Sequence, residues 1–281
     1  MLAEEMSSPH FPLPDYSRPP VTEVIFAASL RPLPLSIVDL ARFGWERLGD
    51  DFPDRQDQAP LQLQIESFDG TVQNLAPTLA LLAGAPPVRL WFKSSDRTRL
   101  VQVQRDLLAY NWQRAGDEDA YPRYETIENR FFETWDDFSG FVNDNGHGAV
   151  EAIQCELSYI NHITPNGMWQ RHGELSKVLR IADNAGSFLP EPEDGQMVFR
   201  YRIPHEGRDV GRLYVHVLPA LSSADRSPVI QLNMVARGAP LGPGRSGVVD
   251  FFRLAHVWIV NGFAAVTTDE AQALLWQRVT R

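Results

Sequence analysis

Five stretches of this chain alternate apolar and polar side chains residue by residue, and that alternation constrains the fold more than anything else in it. Leu61, Leu63 and Ile65 interleave with Gln62, Gln64 and Glu66, and Val101 and Val103 with Gln102, Gln104 and Asp106. Ile153, Cys155, Leu157 and Tyr159 interleave with Gln154, Glu156, Ser158 and His162. Phe199, Tyr201 and Ile203 flank Arg200 and Arg202, and Ile230, Leu232 and Met234 flank Gln231 and Asn233. Successive strand side chains point to opposite faces, so the pattern predicts a sheet buried on one side and open on the other. The open side is a polar surface of mixed charge, suited to binding.

Between the strands the spacing changes to a helical one. Pro34 opens a helix over 35–48, with Ile37, Leu40, Ala41, Gly44, Trp45 and Leu48 on one face. A second helix, about 124–142, carries the stripe Ile127, Phe131, Trp135, Phe138 and Val142 and stops at Asn145-Gly146. A short helix is expected over 173–181. A long one over 246–263 is apolar nearly all round and should be deeply buried. A last helix, 268–279, starts at the capping pattern Thr267-Thr268-Asp269-Glu270. Strands are expected at 21–30, 61–68, 88–94, 99–112, 150–163, 196–203, 211–221 and 228–237. The prolines of residues 1–20 read as an extended arm.

Taken together, 21–146 and 147–281 each run strand, helix, three strands, long helix. That order predicts an α+β protein of two pseudo-duplicated halves packed as one continuous domain. One long antiparallel sheet would carry the helices on one face, a saddle like that of the TATA-binding-protein folds by analogy. The chain of 281 residues is long enough for a full core.

Composition narrows the function classes. A net charge of −10 disfavours default binding to phosphate backbones or anionic membranes and suits a basic partner better; the expected partner is a protein, held by the open sheet face or by the acidic helices. The lone Cys155 forms no internal disulfide, and the opening Met-Leu-Ala-Glu-Glu is no basic-then-apolar leader; both fit a cytoplasmic protein. The longest apolar runs read as too short to span a bilayer. There is no Gly-x-x-x-x-Gly-Lys loop, Gly-x-Ser-x-Gly elbow or His-Glu-x-x-His pair, so no cofactor, metal or catalytic residue is expected.

The candidate binding residues are those of the open face: Gln102, Gln104, Asp106, Glu156, Ser158, His162, Arg200, Arg202, His216, Gln231 and Asn233. Rows of amides can hold a peptide, a nucleotide edge or water. An alternative is an enzyme or nucleotide sensor whose pocket lies between the halves near His162, Glu156 and His216, with His162 as a base. Equally, Asn161 and His162 could bond backbone at a strand end and organise the following Thr-Pro-Asn-Gly turn. The 88–114 segment is locally basic and holds Trp91, a weaker basis for nucleic-acid binding. Gly238 to Gly247 reads as a connection rather than a phosphate cradle.

Pro19-Pro-Val-Thr-Glu-Val24, Arg99-Leu-Val-Gln-Val-Gln-Arg-Asp106 with Asn111-Trp112, and Tyr159-Ile-Asn161-His-Ile163 resemble motifs of a sporadically distributed prokaryotic family of uncharacterised proteins. The resemblance, which includes Phe252 to Phe263, implies no activity. It makes Tyr159, Asn161, Asn111 and Trp112 structural residues, and that family's patchy distribution suggests an antitoxin or phage-defence accessory.

Overall fold

In the computed structural model, the described residues are 13–68, 88–116, 119–182, 188, 190 and 192–279. Most of the proline-rich arm lies outside them, as do residues 69–87, between the strands expected at 61–68 and 88–94. The fold is α+β, with a long antiparallel sheet of nine strands. A separate two-stranded sheet pairs β1 (Asp15–Tyr16) with β11 (Arg278–Val279). Main-sheet strands are β2 (Val21–Leu30), β3 (Asp54–Gln58), β4 (Arg89–Lys93), β5 (Arg99–Gln104), β6 (Leu107–Gln113), β7 (Ala152–Ile163), β8 (Met197–His205), β9 (Arg208–Leu221) and β10 (Pro228–Gly238). Their order is β3-β4-β5-β6-β2-β7-β10-β9-β8. By contact density the chain forms two compact units, one of Met1–Val24, Leu157–Arg237 and Phe252–Arg281 (unit 1), the other of Ile25–Glu156 and Gly238–Phe251 (unit 2).

Unit 2 is built around aromatic side chains. Helix α1 (Ile37–Phe43) starts at a capping box in which Ser36 accepts from the Asp39 amide and Asp39 accepts from that of Ser36. It continues into one π-helical turn, Gly44–Leu48, where an added Cβ on Gly44 would overlap the Phe92 ring. The widened turn shifts the apolar stripe. Leu40, Phe43 and Leu48 are buried, whereas Ile37 is 38% and Trp45 87% exposed, so the single face expected over 35–48 is broken. Helix α2 (Tyr124–Asp144) buries all five expected stripe residues. Phe131 of α2 stacks on Phe26 of β2, and Phe138 meets Phe43 edge-on at 5.1 Å. Each such ring removes enough apolar surface from water to contribute about 2–3 kcal/mol.

Two expectations in this unit fail. The stretch 99–112 is two strands, β5 and β6, reversing at Arg105-Asp106, so Asp106 sits in a turn and not in a row with Gln102 and Gln104. The apolar run Leu107 to Tyr110 hid the reversal, because β6 is buried on both faces and does not alternate. The second failure is larger: 61–68 is not a strand. The edge position beside β4 belongs to β3, whose polar sequence Asp-Arg-Gln-Asp-Gln carries no apolar alternation. The first half therefore has four strands after its helix where three were expected.

Unit 1 holds most of β7 with β8, β9 and β10. The β8–β9 hairpin turns through Glu206 and Gly207, both at positive φ, as a two-residue turn of matching twist requires. Helix α3 (Gly244–Val266) is 23 residues long, and in this unit its Gly262 lets Leu213 and Met234 approach closely. By length and composition α3 is long and apolar enough to cross a membrane, contrary to expectation. It is also not buried all round. One stripe (Val248, Phe251, Phe252, Ala255, Ile259, Phe263, Val266) is buried, while Leu254 and Trp258 are only partly covered. The expected short helix at 173–181 is a pair of 3-10 turns, His172–Lys177 and Arg180–Ala182. The last helix, α4 (Asp269–Leu274), is shorter than expected. Its cap is Thr268, which accepts from the Ala271 amide, whereas Thr267 back-bonds to the Phe263 carbonyl.

Candidate functional site: two polar faces

In unit 2 the register places Gln56, Trp91, Gln102, Ala109 and Asn111 on one side of the sheet. Tyr110 takes the other side with α2, near Arg130 and Glu133, and burial pushes its phenol up to about 12. The amides of the polar side divide into two kinds. Gln102 belongs to a closed network: its Oε1 accepts from Trp91 Nε1 at 2.9 Å and from Arg89 Nη1 at 3.0 Å, and its Nε2 donates to Asn111 Oδ1 at 2.8 Å. The Arg89 and Lys93 cations lie over the Trp91 ring at 5.3 and 5.0 Å, and burial lowers the Arg89 pKa.

Gln104 and Gln154 instead hold main chain. Gln104 Oε1 accepts from the Leu61 N–H at 2.9 Å, and its Nε2 donates to the Leu61 carbonyl at 3.1 Å. Gln154 Oε1 accepts from the Glu66 N–H at 2.7 Å, and its Nε2 donates to the Gln64 carbonyl at 2.6 Å. A primary amide presents one acceptor and two donors, so it satisfies a peptide N–H and C=O just as a neighbouring strand would. The second Gln104 donor goes to Asp106 Oδ1 at 2.6 Å, which fixes which way the amide is turned. Asp106 thus works from the turn, as an orienter. Gln104 and Gln154 are each 3% exposed, so their polar atoms must be bonded here. The segment they hold leaves Leu61 and Ile65 45% and 40% exposed. Its backbone is gripped while these apolar side chains stay unburied.

The face of unit 1 has a different chemistry. Arg200 and Tyr214 are direct cross-strand partners on β8 and β9, as are Val198 and His216, and Arg202 and Arg212. The Tyr214 ring carries the Arg200 guanidinium at 5.8 Å and the Arg237 guanidinium at 5.4 Å, with the His216 ring 6.1 Å away. Burial, with Arg237 and Arg200 nearby, holds the His216 imidazole below its usual range. Arg202 is paired to Asp209 at 2.6 Å. On β10, Gln231 donates to Asn233 at 3.1 Å, both side chains half-buried.

The β7 candidates separate. Asn161 is 2% exposed and donates to the Leu232 carbonyl at 2.9 Å, and Tyr159 stacks on His256 of α3. Both therefore work inside the fold, as does Trp112, 6% exposed. Ser158 is buried, Glu156 half-buried, and His162 exposed with its amide donating to the Pro20 carbonyl. Glu156 and His162 share a face of β7 but are six residues apart, roughly 20 Å at the rise of a strand. Proton transfer needs hydrogen-bond reach, so they are no acid–base pair.

Among the described residues Ser36, Asp39 and His147 come together as a catalytic grouping would, but the carboxylate stands in the middle. Ser36 donates to Asp39 at 2.7 Å while His147 Nε2 is 3.7 Å from the same carboxylate. A nucleophile needs the base beside it, and here the serine is committed to the helix cap, whose bonds hold the Asp39 carboxyl below its usual pKa. Among the described residues no three His, Cys, Asp or Glu side chains gather as metal ligands would. Burial pushes the Cys155 thiol far up, away from nucleophilic use.

Sequence reading missed Gln154 as a grip, Arg89 and Trp91 as supports of Gln102, and the meeting of Tyr214 with Arg237. The signal for Gln154 was present, since it continues the polar parity of β7. Nothing marked 61–66 as its ligand, because the segment's own alternation is that of a strand. No family model matches this chain, and no curated protein or solved structure matches it, so the resemblance read from its motifs gains no support there.

Proposed function

We propose that this protein is a non-enzymatic binding protein that takes hold of an extended segment of a protein partner through the amide face of unit 2. The observation that carries this reading is the pair of glutamines bonded to the N–H and C=O groups of 61–66. Such bonds read an extended backbone and not its side chains, the principle of strand addition. The self-segment then occupies the place the partner takes, and exposed Leu61 and Ile65 mark it as imperfectly packed. The overall charge of −10 adds preference for a partner with basic side chains. An antitoxin or defence-accessory role is compatible with this activity and rests only on the motif resemblance.

The test uses proline to release the segment, since proline has no N–H to give. The double variant Leu61→Pro, Glu66→Pro removes both amides that the glutamines accept from. It should bind a labelled peptide of sequence 59–68 at least tenfold more tightly than wild type, and Gln104→Ala with Gln154→Ala should abolish that binding. A released face that captures no peptide would refute the proposal.

A further inference from the structure

Strand β3 is an open edge of the nine-stranded sheet, and we infer that it pairs antiparallel with β3 of a second copy of this chain, centred on Gln56. An edge strand presents a row of main-chain N–H and C=O groups, and among the described residues only β4 bonds to those of β3. Charge usually keeps edges apart, and β8, the other edge, follows that rule. Pairing β8 with itself about Tyr201 would set Arg200 against Arg202 of the second copy, and Pro204 has no N–H to give.

The charges of β3 alternate in sign instead. Antiparallel pairing about Gln56 sets Arg55 opposite Asp57 of the second copy, twice, and Asp54 opposite Gln58. Centring the pair on Arg55 or on Asp57 would set like charge on like, so the charges favour the Gln56 register. Arg55 and Asp57 already meet on their own strand at 3.0 Å, both side chains exposed, and the second copy completes a ring of four alternating charges. Apolar surface lies beside this seam. Gly44 of the π-helical turn packs on Phe92 of β4, the register partner of Arg55, and the next residue, Trp45, is 87% exposed. The two-fold axis stands perpendicular to the joined sheet, so both turns lie on the same side of it and their Trp45 rings flank the seam. Two five-residue strands bury little surface, which makes the association weak and concentration-dependent.

Sedimentation velocity of the full chain between about 10 μM and about 1 mM tests the pairing. Wild type should pass from monomer to dimer with a Kd of about 0.1 mM, and added salt should weaken the dimer. Asp57→Arg and Arg55→Asp each set like charge on like at the seam, and each should weaken association at least about tenfold. Both positions are exposed, and unchanged melting of each variant shows that it folds. Mixed in equal amounts, the two variants restore opposite charge at both crossings and should form a heterodimer as tight as the wild-type dimer. A wild-type chain that stays monomeric at about 1 mM would overturn the inference. Single variants that dimerise unimpaired would overturn it too, as would a mixture that associates no more tightly than its components.

Discussion

The two polar faces begin from the same sequence pattern and end in different chemistry. In unit 2 the amides are buried and bonded: Gln102 with Arg89, Trp91 and Asn111, Gln104 and Gln154 with the backbone of 61–66. In unit 1 the face is a partly open cluster of cations around Tyr214, held by ring contacts. Amides can be buried because a few directed bonds satisfy them. Guanidinium ions lose too much hydration to be covered the same way, so they remain accessible. The difference is one of chemistry: directed bonds to main chain on one face, clustered charge on the other.

Breaking the amide face should have the largest effect. Replacing Gln104 and Gln154 together by Leu removes the two bonds that each makes to the backbone of 61–66, at about 0.5–1.5 kcal/mol for each bond. Calorimetric melting should show that loss, and limited proteolysis should then cut within 59–68. An unchanged melting temperature would mean that the face is held by other forces.

Acid should separate the two units next. His256, behind the unit 1 sheet, has its pKa lowered to about 4 by burial. The unfolded chain binds a proton there from about pH 6.5 downward while the folded chain does not until about 4. Stability is therefore full above pH 6.5 and falls by at most about 3 kcal/mol as the pH drops to 4. His256→Gln should flatten that slope. In unit 2 the Asp96 carboxyl, bonded to Ser94 and Thr98 in the β4–β5 turn, is held at about 2. Its contribution persists down to ordinary carboxylate pH and disappears between about 4 and 2. Hydrogen exchange across this range should show loosening around α3 of unit 1 before the hairpin; the reverse order would contradict the assignment.

Gly44→Ala tests how far the π-helical turn depends on its close approach to Phe92. The added methyl must displace the ring, and about 1–3 kcal/mol should be lost, measured by chemical denaturation. Arg200→Ala should have the smallest effect on stability, under about 0.5 kcal/mol, since its ring contact is solvent-exposed. That contrast with the glutamines is the comparison in its simplest form.

Much of the architecture was legible in the residues. The stripe Ile127 to Val142 specified α2, and the strand at 21–30 emerged with the expected bounds. The errors have one physical origin. Alternation reports which residues suit a strand, but not whether another strand supplies the bonds. Segment 61–66 has the right alternation and finds its backbone partners in glutamine side chains; Asp54–Gln58 has no apolar pattern and pairs at the edge because its backbone suffices. The candidate site was legible as a list of polar positions. It was not legible as two chemistries, because register decides that Gln102 meets Trp91 while Arg200 meets Tyr214.

The central claim is that two glutamine side chains hold the backbone of 61–66 as a strand would. Amide hydrogen exchange at Leu61 and Glu66, in wild type and in the Gln104→Ala, Gln154→Ala variant, tests it directly. Both amides should exchange many times more slowly than in a free peptide of the same sequence, and should lose that protection in the variant. Exchange at free-peptide rates in the wild-type protein would contradict the account.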